Sequence, residues 1–234
     1  MNEERFFVKQ PVVKLYKTFT DPYVNSLSTA RSCYSSRIIE DHEITADHDR
    51  IAKGCYEGGH HTIYTHATFE FQLSNVSRHF VWSFLHQNTY SNSEQSSQRF
   101  VPVKRDSFVS LLPTEEISQL AIDKYNSCIE YQMNAYHKLT EMLTSTAETE
   151  YKKLFKHKDV KEKKIAGGIK KKAMEVARFV LPIGCHTSLY HTISAISLFR
   201  LYRASGMCDT PFETKLIIQM MVDAVLEHDP NYAK

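Results

Sequence analysis

The clearest alternation in the chain runs from Thr68 to Leu73. Phe69, Phe71 and Leu73 fall on one side, and Thr68, Glu70 and Gln72 on the other. A period of two puts alternate side chains on opposite faces, so this segment predicts a strand with one buried face. A second strand is expected around Val12–Tyr16, within the β-branched and aromatic run of residues 7–19. Elsewhere the apolar positions recur at helical spacing. Asp21-Pro22 reads as a helix start, with Asp21 as N-cap and Pro22 in the first turn of a helix reaching about Tyr34. Another helix is expected over Ala46–Tyr56, stopped by Gly58-Gly59. Phe80, Val81, Phe84 and Leu85 mark one from Val76 to about Asn88.

The longest helical pattern covers residues 115–147. Its expected buried stripe is Ile117, Leu120, Ala121, Tyr125, Cys128, Ile129, Met133, Tyr136 and Leu139. A further helix is expected to run up to Val180 and stop at Leu181-Pro182, and others over Ser188–Tyr202 and Glu213–Glu227. Strands scattered among more numerous helices, without a regular βαβ rhythm, predict an α/β domain with a mixed or antiparallel sheet. Few Gly and Pro and no visible linker make residues 1–234 one expected domain.

Composition narrows the function classes. Lys and Arg total 29 against 27 acids, a near balance that does not single out a polyanion partner. The charge is uneven, however. Ten lysines crowd Lys152–Lys172, where no aromatic residues alternate with them as a base-stacking platform requires, so a solvated face is expected there. The five cysteines, Cys33, Cys55, Cys128, Cys185 and Cys208, show no C-x-x-C spacing and are expected as reduced thiols in a cytoplasmic compartment. No apolar run reaches the length of a membrane span. There is no G-x-G-x-x-G or Walker loop, so a nucleotide or flavin must be held by another device.

Three segments carry candidate chemistry. Gly59–His66 (GHHTIYTH) holds His60, His61 and His66. No carboxylate or Cys joins them at ligand spacing, so hydrogen bonds rather than a metal are expected. His86–Arg99 is fourteen residues without an aliphatic side chain. Composition alone fits an exposed loop as well as a cradle in which Ser, Asn, Gln and Arg read a base edge and hold a phosphate. Ala177–Gly184 sets Arg178 among apolar neighbours at a helix end. That suits either a snorkelling side chain or a phosphate contact.

Taken in order, GHHTIYTHATFEFQLSNVSR (Gly59–Arg78), SNSEQSSQRFVP (Ser91–Pro102) and ARFVLPIGCHTSLYHT (Ala177–Thr192) resemble the flavin-dependent thymidylate synthases. The resemblance spans about residues 12–227. It implies a mixed α/β fold with a long helical part and a homotetramer with sites between subunits. The implied reaction is reductive methylation of dUMP at C5, using methylenetetrahydrofolate, FAD and NADPH. It places Gln95, Ser97, Gln98, Arg99 and Arg178 on the nucleotide, with Ser97 and Arg99 as the catalytic pair, and Thr62 on the flavin. Two guanidiniums can clamp a phosphate through charge-assisted bonds, which is the physical content of that assignment.

The chain departs from the family pattern in specific places. The Arg-His-Arg entry reads His86-Gln87-Asn88, so two permanent charges become an imidazole and an amide. The glutamate of the Glu-His-Ala segment is Thr65 and its tryptophan counterpart is His191. Flavin-contacting Asn and Arg positions read Ser194 and Ile196, and a further Asn reads Arg200. A substrate-ionising arginine falls on Ser205, with Arg203 two residues earlier. The same segments therefore also suit C5 modification of another pyrimidine nucleotide, or a nucleotide-binding relative without flavin.

Overall fold

The computed structural model describes residues 7–87 and 91–234. In chain order the elements are β1 (Val12–Lys17), α1 (Pro22–Ser32), α2 (Asp49–Glu57), β2 (Thr68–Ser77), α3 (Arg78–Gln87), β3 (Ser91–Gln95), α4 (Gln119–Leu154), α5 (Lys163–Ala177), β4 (His186–Ser194), α6 (Ala195–Met207) and α7 (Phe212–His228). The sheet order is β1-β2-β4-β3, with β1 antiparallel to β2 and β3 antiparallel to β4. The mixed α/β class expected from the sequence is what the chain adopts. None of the described helices is long and apolar enough to cross a membrane.

The described residues fall into two compact units. One lies within residues 1–10, 77–79 and 96–187, the other within residues 11–76, 80–95 and 188–234. The second contains nearly all of the sheet. The alternation in β2 does what it predicts: Phe69, Phe71 and Leu73 are at most 1% exposed. Val76, expected at the start of a helix, is still strand and is buried out of step with them. They meet Leu27 of α1, Phe80 and Phe84 of α3, Ile193 of β4, Leu198 of α6, and Ile217, Ile218 and Met221 of α7 in one continuous core. Asn75 sits near the end of β2 at φ 57°, a left-handed conformation that Asn tolerates better than most residues.

Three sequence expectations change here. Residues 188–194 are strand, not helix. Leu189, His191 and Ile193 turn inward while Ser188 and Tyr190 are exposed, a period of two that general apolarity hides. Ser194 then accepts from the Ser197 amide and caps α6. Residues 91–95, compositionally a loop, form β3 with Gln95 opposite Leu189; pairing to β4 supplies what their propensities do not. Finally, Asp21 occupies the N-cap of α1 but its side chain caps nothing. The buried Asp229 carboxylate, 206 residues away, takes the Tyr23 amide at 3.0 Å instead. It also accepts from the Asn231 amide at 3.1 Å.

The other unit is built on α4 and α5. Ile122, Ile129, Met133, Tyr136 and Thr140 form the buried face of α4. Leu120, Ala121 and Cys128, expected inside, are exposed, because the inward ladder starts at Ile122 and passes through Tyr125. Ile129, Met133 and Tyr136 cluster with Val103, Ala177 and Cys185. Gly184 is required by close approach. The Tyr125 hydroxyl lies 2.9 Å from where a Cβ would stand, and it donates to the Val109 carbonyl at 2.8 Å. The cysteines are all free, with Cys33, Cys128 and Cys208 exposed, Cys55 half-buried and Cys185 buried.

Phe71→Ala should destabilise the chain by about 3–5 kcal/mol, the usual cost of emptying a filled aromatic site. Chemical denaturation measures this. A loss below about 1 kcal/mol would mean that the β2 face is not the core the fold rests on.

Candidate nucleotide site

The loop after β3 is shaped by Ser97. Its hydroxyl accepts from the Arg99 amide at 3.2 Å. Its carbonyl accepts from the Phe100 and Val101 amides at 3.2 and 3.0 Å. Such a turn is a local property of serine, whose short hydroxyl reaches the backbone two residues on. It aims Arg99 at the last turns of α5, where the guanidinium pairs with the Glu175 carboxylate. Lys172, one turn earlier, reaches the same carboxylate at 3.1 Å. Lys172 and Arg99 together hold the Glu175 carboxyl below the usual carboxylate range, Lys172 contributing most.

Arg178 follows on the 3-10 turn that ends α5. Its Nε donates to the Glu175 carbonyl at 3.1 Å, and its guanidinium lies 5.6 Å from the Phe179 ring centre. Glu175 thus anchors both arginines singled out from the sequence, Arg99 through its carboxylate and Arg178 through its main chain. Lys171 and Arg99 both lie near the Phe100 ring, at 5.6 and 6.0 Å, so a positive field surrounds the loop. Gln98 is half-buried and Arg99 exposed, which leaves their polar ends accessible to a ligand.

Two participants escape the sequence reading. Glu175 looks like an ordinary surface acid in a lysine-rich helix, and nothing in its spacing marks it. Arg78 is the second. Its amide donates to the Cys185 carbonyl at 2.9 Å, and its guanidinium donates to the Ser96 carbonyl at the mouth of the loop. Burial pushes Arg78 below the ordinary arginine range, and the charge of Arg178 adds to that. Two guanidiniums in mutual repulsion make a place where an anion is favoured. The sequence does carry a signal for it: Arg78 stands alone between Val76 and the apolar run of α3.

The remaining expected site residues lie in the sheet-bearing unit. Gln95 ends β3 with its side chain exposed. Thr62 is exposed on the 3-10 turn His61–Thr65. The His61 ring beside it stacks on Tyr56 at 5.1 Å. Arg200 of α6 approaches His61 Nδ1 at 3.3 Å, and Nε2 meets the Tyr56 carbonyl at 3.0 Å. An arginine can only donate, so Nδ1 accepts and Nε2 carries the proton. No group of three or more His, Cys, Asp or Glu among the described residues is placed to hold a metal ion. At the motif's altered entry, His86 Nδ1 meets its own helix at the Trp82 carbonyl, 2.6 Å away, and its ring lies 4.1 Å from the Trp82 ring. Asn88 lies outside the described residues. Ser205 is buried, its hydroxyl on the Tyr202 carbonyl at 2.7 Å. Arg203 lies about 200° away from it around the helix and points elsewhere.

A model of the thymidylate synthase complementing protein family matches residues 14–231. The chain belongs to that family. It is 28% identical over 234 residues to a flavin-dependent thymidylate synthase of Clostridium tetani (strain Massachusetts / E88), covering 95% of this chain and 85% of that protein. Its fold matches the crystal structure of a UMP/dUMP methylase, PolB, from Streptomyces cacaoi bound with 5-Br dUMP. There the TM-score is 0.68 at 15% identity, over 95% of this chain and 93% of the other. Family membership places the chain among methyltransferase-type enzymes.

His191, at the family's tryptophan position, has become part of the core. It is 1% exposed, 4.6 Å from the Phe84 ring, with Nδ1 2.5 Å from the Ser93 hydroxyl. Burial pushes its imidazole down from 6.5 to about 4. The folded chain therefore keeps it neutral while the unfolded chain takes up a proton below pH 6.5. Stability from this residue is full above pH 6.5 and is lost as pH falls from about 6.5 to 4. Denaturation midpoints should drop across that window, and His191→Phe should flatten the drop. An unchanged slope in that variant would show that His191 does not titrate this way.

Proposed function

We propose that this chain methylates C5 of a pyrimidine nucleotide, with dUMP as substrate, in a flavin-dependent thymidylate synthase reaction. The observation that carries this reading is the shared anchoring of Arg99 and Arg178 by Glu175, beside the Ser97 turn. An incoming nucleotide phosphate has a guanidinium at Arg178, whose Nη groups hold no bond among the described residues. It also has a second guanidinium at Arg99, which it gains by displacing the Glu175 carboxylate. Amides of the Ser97 turn can assist. Gln98 carries an amide donor and acceptor that suit a pyrimidine edge. Ser97 and Arg99 are the residues assigned to the reacting ring. Family membership and the Clostridium tetani relative support the reaction class.

FAD, when bound, supplies the hydride that reduces the one-carbon unit taken from methylenetetrahydrofolate, and NADPH restores it. The residues of this chain that fit an anionic cofactor are Thr62, with its exposed side chain, and Arg200, whose guanidinium reaches the neighbouring His61. Arg200 stands in place of a neutral family residue, so it returns a positive charge that His86 and Asn88, in place of two arginines, no longer supply. The assembly that goes with the reaction is a homotetramer with sites shared between subunits. A second reading, nucleotide binding without flavin, is favoured by the engagement of His86 with its own helix at Trp82.

Calorimetric titration with dUMP should show Arg99→Ala and Arg178→Ala each weakening binding about tenfold or more, since a charge-assisted hydrogen bond contributes roughly 1.5–3 kcal/mol. Glu175→Gln, which releases Arg99, should not share that loss. Unchanged affinity in both arginine variants would remove this nucleotide site from consideration.

The purified chain should turn yellow with added FAD and oxidise NADPH faster when dUMP is present. Arg200→Ala should weaken flavin retention several-fold, as loss of one phosphate-facing charge does. A protein that stays colourless in FAD but shows a thermal shift with dUMP would establish the second reading instead.

A further inference from the structure

A cavity of about 640 Å³ opens within the sheet-bearing unit, walled by α2, α6, α7 and residues 231–234. None of Ser97, Arg99, Arg178 or Thr62 lines it. Its wall is a connected series of aromatic rings. Tyr56 meets Tyr64 at 6.2 Å, Tyr64 meets Phe199 at 6.2 Å, Phe199 meets Tyr232 at 5.5 Å, and Tyr232 meets Tyr23 at 5.5 Å. Each of these junctions is edge-to-face, so ring faces and edges alternate along the wall. The volume lies in the range that holds small molecules.

The charges around it do not cancel. Lys234 pairs with Asp49 at 2.6 Å and Lys53 with Glu57 at 4.0 Å. Arg50 and Arg203 also line the cavity, and among the described residues neither makes a hydrogen bond or ion pair. Of the six charged residues that line it, Asp49 and Glu57 are taken by Lys234 and Lys53, and the Asp229 carboxylate behind the wall is taken by the Tyr23 and Asn231 amides, so the two guanidiniums have no acid partner beside the aromatic wall. A continuous series of rings with unneutralised planar cations at its rim has the make-up of a recognition site, the rings taking a flat apolar body and the guanidiniums an anionic head.

We propose that this cavity binds a planar aromatic anion, with its ring against Tyr64 and Phe199 and its carboxylate or phosphate on Arg50 and Arg203. The site is separate from the nucleotide site and gives the chain a second ligand. It also gives Arg203 a role, since that side chain does not serve the position of Ser205.

The test is calorimetric titration of the full chain with 2-naphthoate, 2-naphthyl phosphate and the neutral 2-naphthol. Both anions should bind at least about fivefold more tightly than naphthol, a modest return for one charge-assisted contact. The tighter of the two identifies the head group. That advantage should vanish in the Arg50→Ala/Arg203→Ala double variant, both substitutions being on exposed side chains. It should persist in Arg99→Ala, which separates this site from the nucleotide site. Equal binding of naphthol and the anions, or anion binding unaffected by the double substitution, overturns the proposal.

Discussion

One buried strand face organises the sheet-bearing unit. Phe69, Phe71, Leu73 and Val76 exclude water almost completely, and each neighbouring element is held by what it buries against them. β1 pairs along one side of β2, and the sheet order puts β4 on the other. Helices α1, α3, α6 and α7 cover the apolar face because each carries a stripe of matching residues. The strand is intolerant of a one-residue slip, which would turn every aromatic to solvent. That constraint is also why His191 can be in the core: β4 has to present alternate residues inward, and position 191 is one of them.

The candidate nucleotide site depends on a different kind of interaction. Exposed ion pairs contribute little to stability, so the Arg99–Glu175–Lys172 cluster is better understood as positioning than as glue. It keeps a guanidinium facing α5, at hand for an anion that competes for it. The Ser97 turn and the 3-10 turn at Arg178 are short local structures, and both bring their arginines to the same residue of α5. Arg78 adds half-buried positive charge at the loop's mouth. The aromatic cavity differs: Arg50 and Arg203 stand beside rings and have no ion pair among the described residues.

Much of this is legible in the sequence, though unevenly. Strand β2, the start of α1, the extent of α7 and the presence, though not the ends, of α4 follow from periodicity and from Pro22. Ser97, Arg99 and Arg178 are visible as polar or charged residues in an ordered set of family-like segments. Glu175 is not, because an acid four residues from one lysine and three from another reads as a solvated helix face until the Arg99 loop lies across it. Residues 188–194 mislead for a related reason. A short apolar run has the same composition in a buried strand and a buried helix, and only the partner β3 decides between them.

What the sequence by itself determined is local: the period-two face of β2, the turn chemistry of Ser97, the helix stop at Leu181-Pro182, and the family to which the ordered segments belong. Each depends on atoms within a few residues of one another. The tertiary structure alone decided that Asp229 rather than Asp21 caps α1, that the small polar residues 91–95 pair as a strand, and that Arg50 and Arg203 share an aromatic cavity. These outcomes depend on which distant groups are brought to the same place, and hydrogen bonds and charges act over a few ångströms whatever the separation along the chain.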